Sequence, residues 1–213
     1  MYTPQQFEEK RPEVLAGAIR EIQFALLVTS VDGTYHATHL PMLLKAGDGV
    51  LTLEAHLARA NPHWQALGRK PASLAVFQGP QTYISPSWYE SKRRHGKVVP
   101  TWNYVVVHAH GPLEAVEDRR WLRAHIEELV ARNERGRDPP WAVSDAPAEF
   151  VEQMTRAIVG LRLKIERLEG KWKMSQNRPE ADRLGTLAGL SGSADPRDQA
   201  VARVMRAREA ERG

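Results

Sequence analysis

The sequence predicts a mainly β chain with peripheral helices (α+β): a small antiparallel barrel, helices packed outside it, and a helical C-terminal appendage. Three observations carry this. From residue 24 to residue 116 short apolar runs alternate with turn signals, and the short connections make meanders rather than βαβ repeats. After residue 118 the apolar spacing changes to a helical period. The tail beyond residue 178 holds two more helical pieces and no strand texture.

Taken in order, Thr3-Pro4 can start a short helix, and Pro12 can open another through Ile22 with Val14, Leu15, Ala18, Ile19 and Ile22 as its apolar stripe. FALLVTS, Asp32-Gly33 and YHATHLPMLL read as a hairpin, because Asp-Gly supplies the positive φ angles of a tight turn. KAGDG is a second turn and leads into VLTLEA; the glycines at 47 and 49 are read as nothing more than that turn. SLAVFQG, QTYISP and NYVVVHAHGPLEAV follow as strands, with a broken piece, 87–102, before the last of them. A long amphipathic helix is expected from Asp118 to Arg135, carrying Trp121, Leu122, Ile126, Leu129 and Val130. A helix over about 147–157 precedes a last strand, VGLRLKIERLEGKWKM. PEADRLGTLAGL and PRDQAVARVMRAR, joined by SGSAD, are the two tail helices.

The 213 residues are 42% hydrophobic, enough for a real core in one large domain or one domain with appendages. No apolar run approaches the roughly 18 residues of a membrane span. The opening MYTPQQFEEKRPEV is too charged and acidic for a signal or transit peptide. The absence of cysteine removes thiolate chemistry and Cys-type zinc sites and fits a reducing compartment, so a cytoplasmic location is expected. Thirty basic residues against 26 acidic ones give a net charge of +4, a mixed surface that permits an anionic partner without demanding nucleic acid.

Candidate chemistry is sparse. His108 and His110 share one side of a strand, but no carboxylate sits at metal-ligand spacing beside them, so no metal is expected. His36 and His39 would face opposite sides. No G-x-S-x-G, G-x-G-x-x-G or G-x-x-x-x-G-K-[ST] occurs, and Ser85 and Ser87 flank a proline where they cap a turn. Ala181 and Gly185 stand four apart as in many helix-turn-helix units, but Ser191 falls where an aliphatic residue is needed and SGSAD is a long joint. From Arg178 to Arg212 seven arginines face six acids, nearly a balance. The densest basic run, KRRHGK at 92–97, is expected to be a solvated loop.

The stretch EAHLARANPHWQAL stands where a strand ends and a helix begins. Arg59 offers a planar fork matched to phosphate, His56 a further donor and Asn61 an amide, and a helix start would add free N–H groups. Taken alone, this stretch is also satisfied by a surface arginine and an Asn61-Pro62 helix cap.

Five motifs then occur in order: THLPMLL, HLARANPHW, VFQGPQTYISPSWY, VPTWNYVVVHAHG and KWKMSQNRPEAD. With them the chain resembles the PaiB-like family of FMN-binding negative transcriptional regulators, in the flavin-binding split-barrel superfamily that includes the pyridoxamine phosphate oxidases. The resemblance runs from the first residues to at least residue 190. It implies a six-stranded antiparallel split barrel over residues 1–178 with N-terminal helices, a helical appendage over 179–213, and a homodimer holding FMN between its subunits. By position it implies that His39, Leu40 and Pro41 line the flavin from one strand and Glu54, Ala55 and His56 from the next. Ala58, Arg59 and Asn61 would hold the phosphate. Trp88, Tyr89, Thr101, Trp102 and Asn103 would approach the ring or the dimer seam. Lys173, Ser175, Gln176 and Asn177 would close the cleft. Two function classes follow: a regulator with a route to DNA, and a flavin-dependent oxidoreductase acting on a small or aromatic substrate. A minor third is haem binding through His108 or His110. No group is assigned as catalytic.

Overall fold

The computed structural model describes residues 1–47, 49–68 and 70–211. The described residues form nine strands and six α-helices, with short 3-10 turns between them. The strands are β1 (Glu8–Glu9), β2 (Phe24–Val31), β3 (Thr34–Pro41), β4 (Leu43–Gly47), β5 (Val50–Ala58), β6 (Ala72–Ile84), β7 (Thr101–Val116), β8 (Ile158–Lys164) and β9 (Arg167–Lys173). The helices are α1 (Pro12–Ile22), α2 (Glu90–His95), α3 (Arg119–Asn133), α4 (Ala148–Arg156), α5 (Glu180–Ser191) and α6 (Pro196–Ala210). The strand order is β3-β2-β6-β7-β8-β5-β4, with β9 pairing both β1 and β7.

The mainly antiparallel, helix-flanked architecture is the expected one, but the count of six strands is corrected to nine. Three local causes, together with a short added strand, turn the seven runs read from the sequence into these nine strands. At Pro41-Met42 the ladder is interrupted, since proline lacks an N–H and the Met42 N–H donates to the Gln23 carbonyl (2.9 Å). The hairpin's return strand therefore splits into β3 and β4. At Ile165-Glu166 consecutive N–H groups donate to different strands, to Leu51 and His110 carbonyls (both 2.9 Å), so the single run 159–174 becomes β8 and β9. Conversely, the two runs on either side of Gly79-Pro80 are one strand, β6. The two-residue β1 completes the set by pairing Glu8 with Lys171.

Several local expectations hold. Asp32 (φ 49°) and Gly33 (φ 79°) make the tight β2–β3 turn. Gly47 pairs with Val50 across the β4–β5 hairpin, Asp48 itself lying outside the described residues. The Asp118 carboxylate caps α3 by accepting from the Trp121 N–H (2.6 Å). The run KRRHGK differs, for residues 90–95 are helical. The Asp182 carboxylate accepts the Ser91 N–H at 2.8 Å, and left-handed Gly96 (φ 69°) closes the C-terminus on Ser91 and Lys92 carbonyls.

The chain divides into two compact units, each with its own packing. One comprises Met1–Ala18, Gln78–Val107 and the chain from Glu169 on; the other comprises Ile19–Phe77 and His108–Leu168. In the first, Tyr89, Ile84, Met174, Leu190, Val201 and Met205 are buried. In the second, Leu27, Leu53, Phe77, Leu113, Leu122, Leu161 and Leu163 form the interior.

Candidate functional site

In the second unit, alternation along β5 divides the expected flavin residues between two faces. Ala55 is 1% exposed and points into the interior with Leu53 and Leu57. Glu54 and His56 point the other way, toward α3. The Glu54 carboxylate accepts from Trp121 Nε1 and Arg162 Nε, both at 3.3 Å. His56 Nδ1 lies 3.1 Å from His125 Nε2. Trp121 stacks parallel to His125 (1°, 5.1 Å), and the Arg162 guanidinium lies 5.4 Å from the Trp121 ring centre. This close approach needs Gly160 on β8, where an added methyl would stand 2.2 Å from the Trp121 ring. The sequence gives no sign of this pairing, because one histidine within an amphipathic helix carries no signal of its partner 69 residues away.

Arg59 follows Ala58, the last residue of β5. Its Nε donates to the Arg156 carbonyl (3.1 Å), Nη2 to the Ile158 carbonyl (3.3 Å) and Nη1 to Glu117 (2.7 Å). The guanidinium also sits 5.4 Å from the Trp64 ring centre, and Trp64 Nε1 donates back to the Arg59 carbonyl. Two edges of the fork are thus tied to backbone and only the Glu117 edge is a surface pair, with side chains 39% and 58% exposed. The expected helix start is a six-residue 3-10 turn (Pro62–Leu67), and N–H groups at its entry are already used. Arg59 N–H goes to the Ala157 carbonyl, Asn61 N–H to the Ala58 carbonyl, and His63 N–H to Asn61 Oδ1.

Asn61 also donates to Thr38 Oγ1 (3.3 Å), which lies 2.9 Å from His63 Nδ1. His36 stacks on His63 at 5.5 Å, while His39 stacks on Phe24 at 6.3 Å, so the two β3 histidines do face opposite sides. Burial, and next to it the neighbouring His36, holds the His63 imidazole down to a pKa of about 4. Of the remaining β3 residues, Leu40 is in the core and Pro41 half-buried.

The first unit gathers the other expected residues. Lys173 Nζ donates to the Trp102 carbonyl (2.6 Å) and to Thr101 Oγ1. Both acceptors are neutral, and Lys173 has no carboxylate partner among the described residues. Its ordinary pKa is lowered by burial, then by the charges of Lys171 and Arg178. Lys171 is itself buried between the Tyr2 and Tyr104 rings (5.7 and 5.3 Å) and donates to the Tyr2 carbonyl. A half-buried ammonium with three donors, two of them used, amid cations and without an acid, is chemistry that suits an anionic ligand. Next to it Trp102 is 51% exposed and meets Tyr83 edge-on at 6.3 Å.

Asn103 is fully buried and donates to Ser175 Oγ (3.1 Å) and Met205 Sδ (3.4 Å), and Ser175 Oγ donates back to Asn103 Oδ1. That exchange holds Ser175 at φ 61°, left-handed for a non-glycine residue. Gln176 turns inward to bridge the Met174 N–H and the Trp172 carbonyl, whereas Asn177 is exposed. Trp88 lies against α5, and Tyr89 is 1% exposed with the Arg178 guanidinium 4.9 Å from its ring centre. His108 and His110 share one side of β7 with ring centres 6.0 Å apart.

The profile of the family described as "Putative FMN-binding domain" matches residues 1–167. The chain is 31% identical to "Protease synthase and sporulation protein PAI 2" of Bacillus subtilis over 205 residues, 96% of each chain. It is 32% identical to an uncharacterized protein of Emericella nidulans, over 98% of this chain and 97% of that one. Among solved structures, the "FAD and Heme binding protein from Mycobacterium smegmatis" is similar with a TM-score of 0.59 at 16% identity, covering 83% of this chain and 78% of that chain, which shows the shared split-barrel fold. By a profile that spans most of its length and a relative aligned almost end to end, the chain belongs to the FMN-binding family of PaiB-like split-barrel proteins, with FMN as its cofactor.

Proposed function

We propose that the chain is an FMN-binding homodimer acting as a negative regulator of transcription, with cofactor sites that draw on both subunits. The observation that carries the binding part is Lys173, a half-buried cation near further cations whose partners among the described residues are neutral oxygens. It would supply positive charge to the flavin, while Thr101, Trp102, Asn103, Ser175, Gln176 and Asn177 shape its surroundings. Arg59 would take the phosphate by exchanging its exposed Glu117 partner, with Ala58 and Asn61 beside it. His39, Leu40, Pro41, Glu54, Ala55 and His56 would form the remaining wall. FMN supplies the redox-active ring, and the protein supplies binding and orientation.

The dimer is supported by exposed aromatic surface, with Tyr83 47% and Trp102 51% exposed. The regulatory part is supported by the PaiB-like family to which the chain belongs. A second reading, a flavin-dependent oxidoreductase, is favoured by the same Tyr83–Trp102 pair, a platform that could receive an aromatic substrate. No helix among the described residues is long and apolar enough to cross a membrane.

A visible absorption spectrum and light scattering on the purified protein test this reading together. Flavin bands and twice the monomer mass are expected. A haem spectrum, or a clean monomer with FMN bound, would contradict it. Turnover of a reduced nicotinamide with an aromatic acceptor would favour the oxidoreductase.

A further inference from the structure

We propose that one face of α5, formed by Asp182, Gly185 and Gly189, is a seat that positions the Trp88–Tyr89 segment and thereby sets flavin affinity. The flavin clause rests on the reading that Trp88 and Tyr89 lie at the cofactor.

Positions 182, 185 and 189 fall three and four apart and so share one side of a helix. All three meet the segment 88–91. Asp182 is 1% exposed, and its Oδ1 accepts the Ser91 N–H at 2.8 Å. A methyl added at Gly185 would stand 2.1 Å from the Trp88 carbonyl oxygen. One added at Gly189 would stand within 2.6 Å of three atoms of the Trp88 indole. Glycine is a poor residue inside a helix, and here its lack of a side chain is what lets the indole and its backbone lie directly on the α5 main chain. Gly192, at the end of the same helix, makes no such contact, since a methyl there would come no closer than 3.5 Å to the Ala188 carbonyl.

The segment is held from another direction as well. Arg178, two residues before α5, lies 4.9 Å from the Tyr89 ring centre, and Tyr89 is almost wholly buried. The seat is itself braced by α6, through the paired contacts of Arg183 with Glu209 (2.8 and 3.1 Å). The C-terminal helices thus determine where the indole stands, without themselves needing to touch a ligand. Asp182, Gly185 and Gly189 are positioning residues.

The test uses full-length protein labelled with 5-fluorotryptophan and read by 19F NMR, with the Trp88 resonance assigned by its loss in Trp88→Phe. In Gly189→Ala the Trp88 resonance should shift and the FMN dissociation constant should rise at least tenfold. Gly192→Ala should change neither. If Gly189→Ala does not fold, Trp88→Leu/Gly189→Ala decides, because removing the indole makes room for the methyl. Recovery of the fold supports the seat, and no recovery overturns it. An unmoved Trp88 resonance in folded Gly189→Ala overturns the proposal, as does a moved resonance with FMN affinity within twofold of wild type. A wild type that binds no FMN sinks the flavin reading instead, and the resonance alone then judges the seat.

Discussion

His56 Nδ1 on β5 stands 3.1 Å from His125 Nε2 on α3, inside a packed face where His125 is 3% exposed. Burial, then the charges of His56 and Lys45, lowers the His125 pKa from 6.5 to about 4, and burial lowers that of His56 as well. His63 is held at about 4 in the same way. A depressed histidine pKa means the unfolded chain binds more protons between pH 4 and 6.5, so stability is lost as pH falls through that window. Going from about pH 7 to about pH 5, His125 and His63 should each remove roughly 2 kcal/mol of stability. Urea midpoints across this range check it. His63→Gln/His125→Gln should flatten the profile, and an unchanged pH slope in that variant would contradict the assignment.

Glu9 is a buried carboxylate (side chain 4% exposed) shared by Arg11 at 2.8 Å and by Arg208, and both arginines also reach Glu211 at the end of α6. Removing Arg208 strips Glu9 of one of its two cations and removes the guanidinium that lies 5.4 Å from the Trp172 ring centre. Arg208→Ala should cost about 2 to 4 kcal/mol, while Arg208→Ala/Glu9→Gln should recover part of that loss. Denaturation of the two variants side by side measures the recovery. No recovery would mean that packing on Trp172, not charge, is what Arg208 contributes.

Ser175 combines a positive φ with two hydrogen bonds to Asn103. Ser175→Ala keeps the strain and leaves Asn103 short of partners, so a loss of about 2 kcal/mol is expected. Ser175→Gly loses the same bonds but relieves the left-handed backbone, so it should be the more stable of the two by up to about 1 kcal/mol. Thermal melts in the reverse order would show that the φ carries no strain.

Direct DNA binding is expected to draw on the exposed cations of α2 and α6, the basic segments that the sequence concentrates most. Random duplex should bind weakly at physiological salt, with affinity falling linearly on a log–log plot against salt. Fluorescence anisotropy would show this. A promoter fragment bound at nanomolar affinity and at least a hundredfold tighter than random duplex would contradict it.

Most helices and turns are legible because their signals are local, α2 being the exception. Pro12 to Ile22 is helical residue for residue, and Asp118, Asn61 and Ser85 each cap the turn expected of them. Strand number was not legible, because the breaks at Met42 and at Ile165-Glu166 depend on which distant carbonyl an N–H finds. The same limit hid the environment of the expected site residues. Arg59 looks like a free fork in sequence, but two of its edges are bonded to carbonyls nearly a hundred residues away. Lys173 looks like an ordinary strand lysine, and only the fold shows that no acid accompanies it among the described residues.

The central proposal is that FMN is held through charge, with Arg59 on the phosphate and Lys173 on the flavin. Isothermal titration of FMN and of riboflavin into wild type, Arg59→Ala and Lys173→Ala tests it most directly. Wild type should prefer FMN. Arg59→Ala should weaken FMN by roughly 10- to 100-fold, matching about 1.5 to 3 kcal/mol for a charge-assisted contact, and leave riboflavin almost unchanged. Lys173→Ala should weaken both ligands. A wild type with no preference for FMN, or an Arg59→Ala protein that keeps the preference in full, would contradict the account.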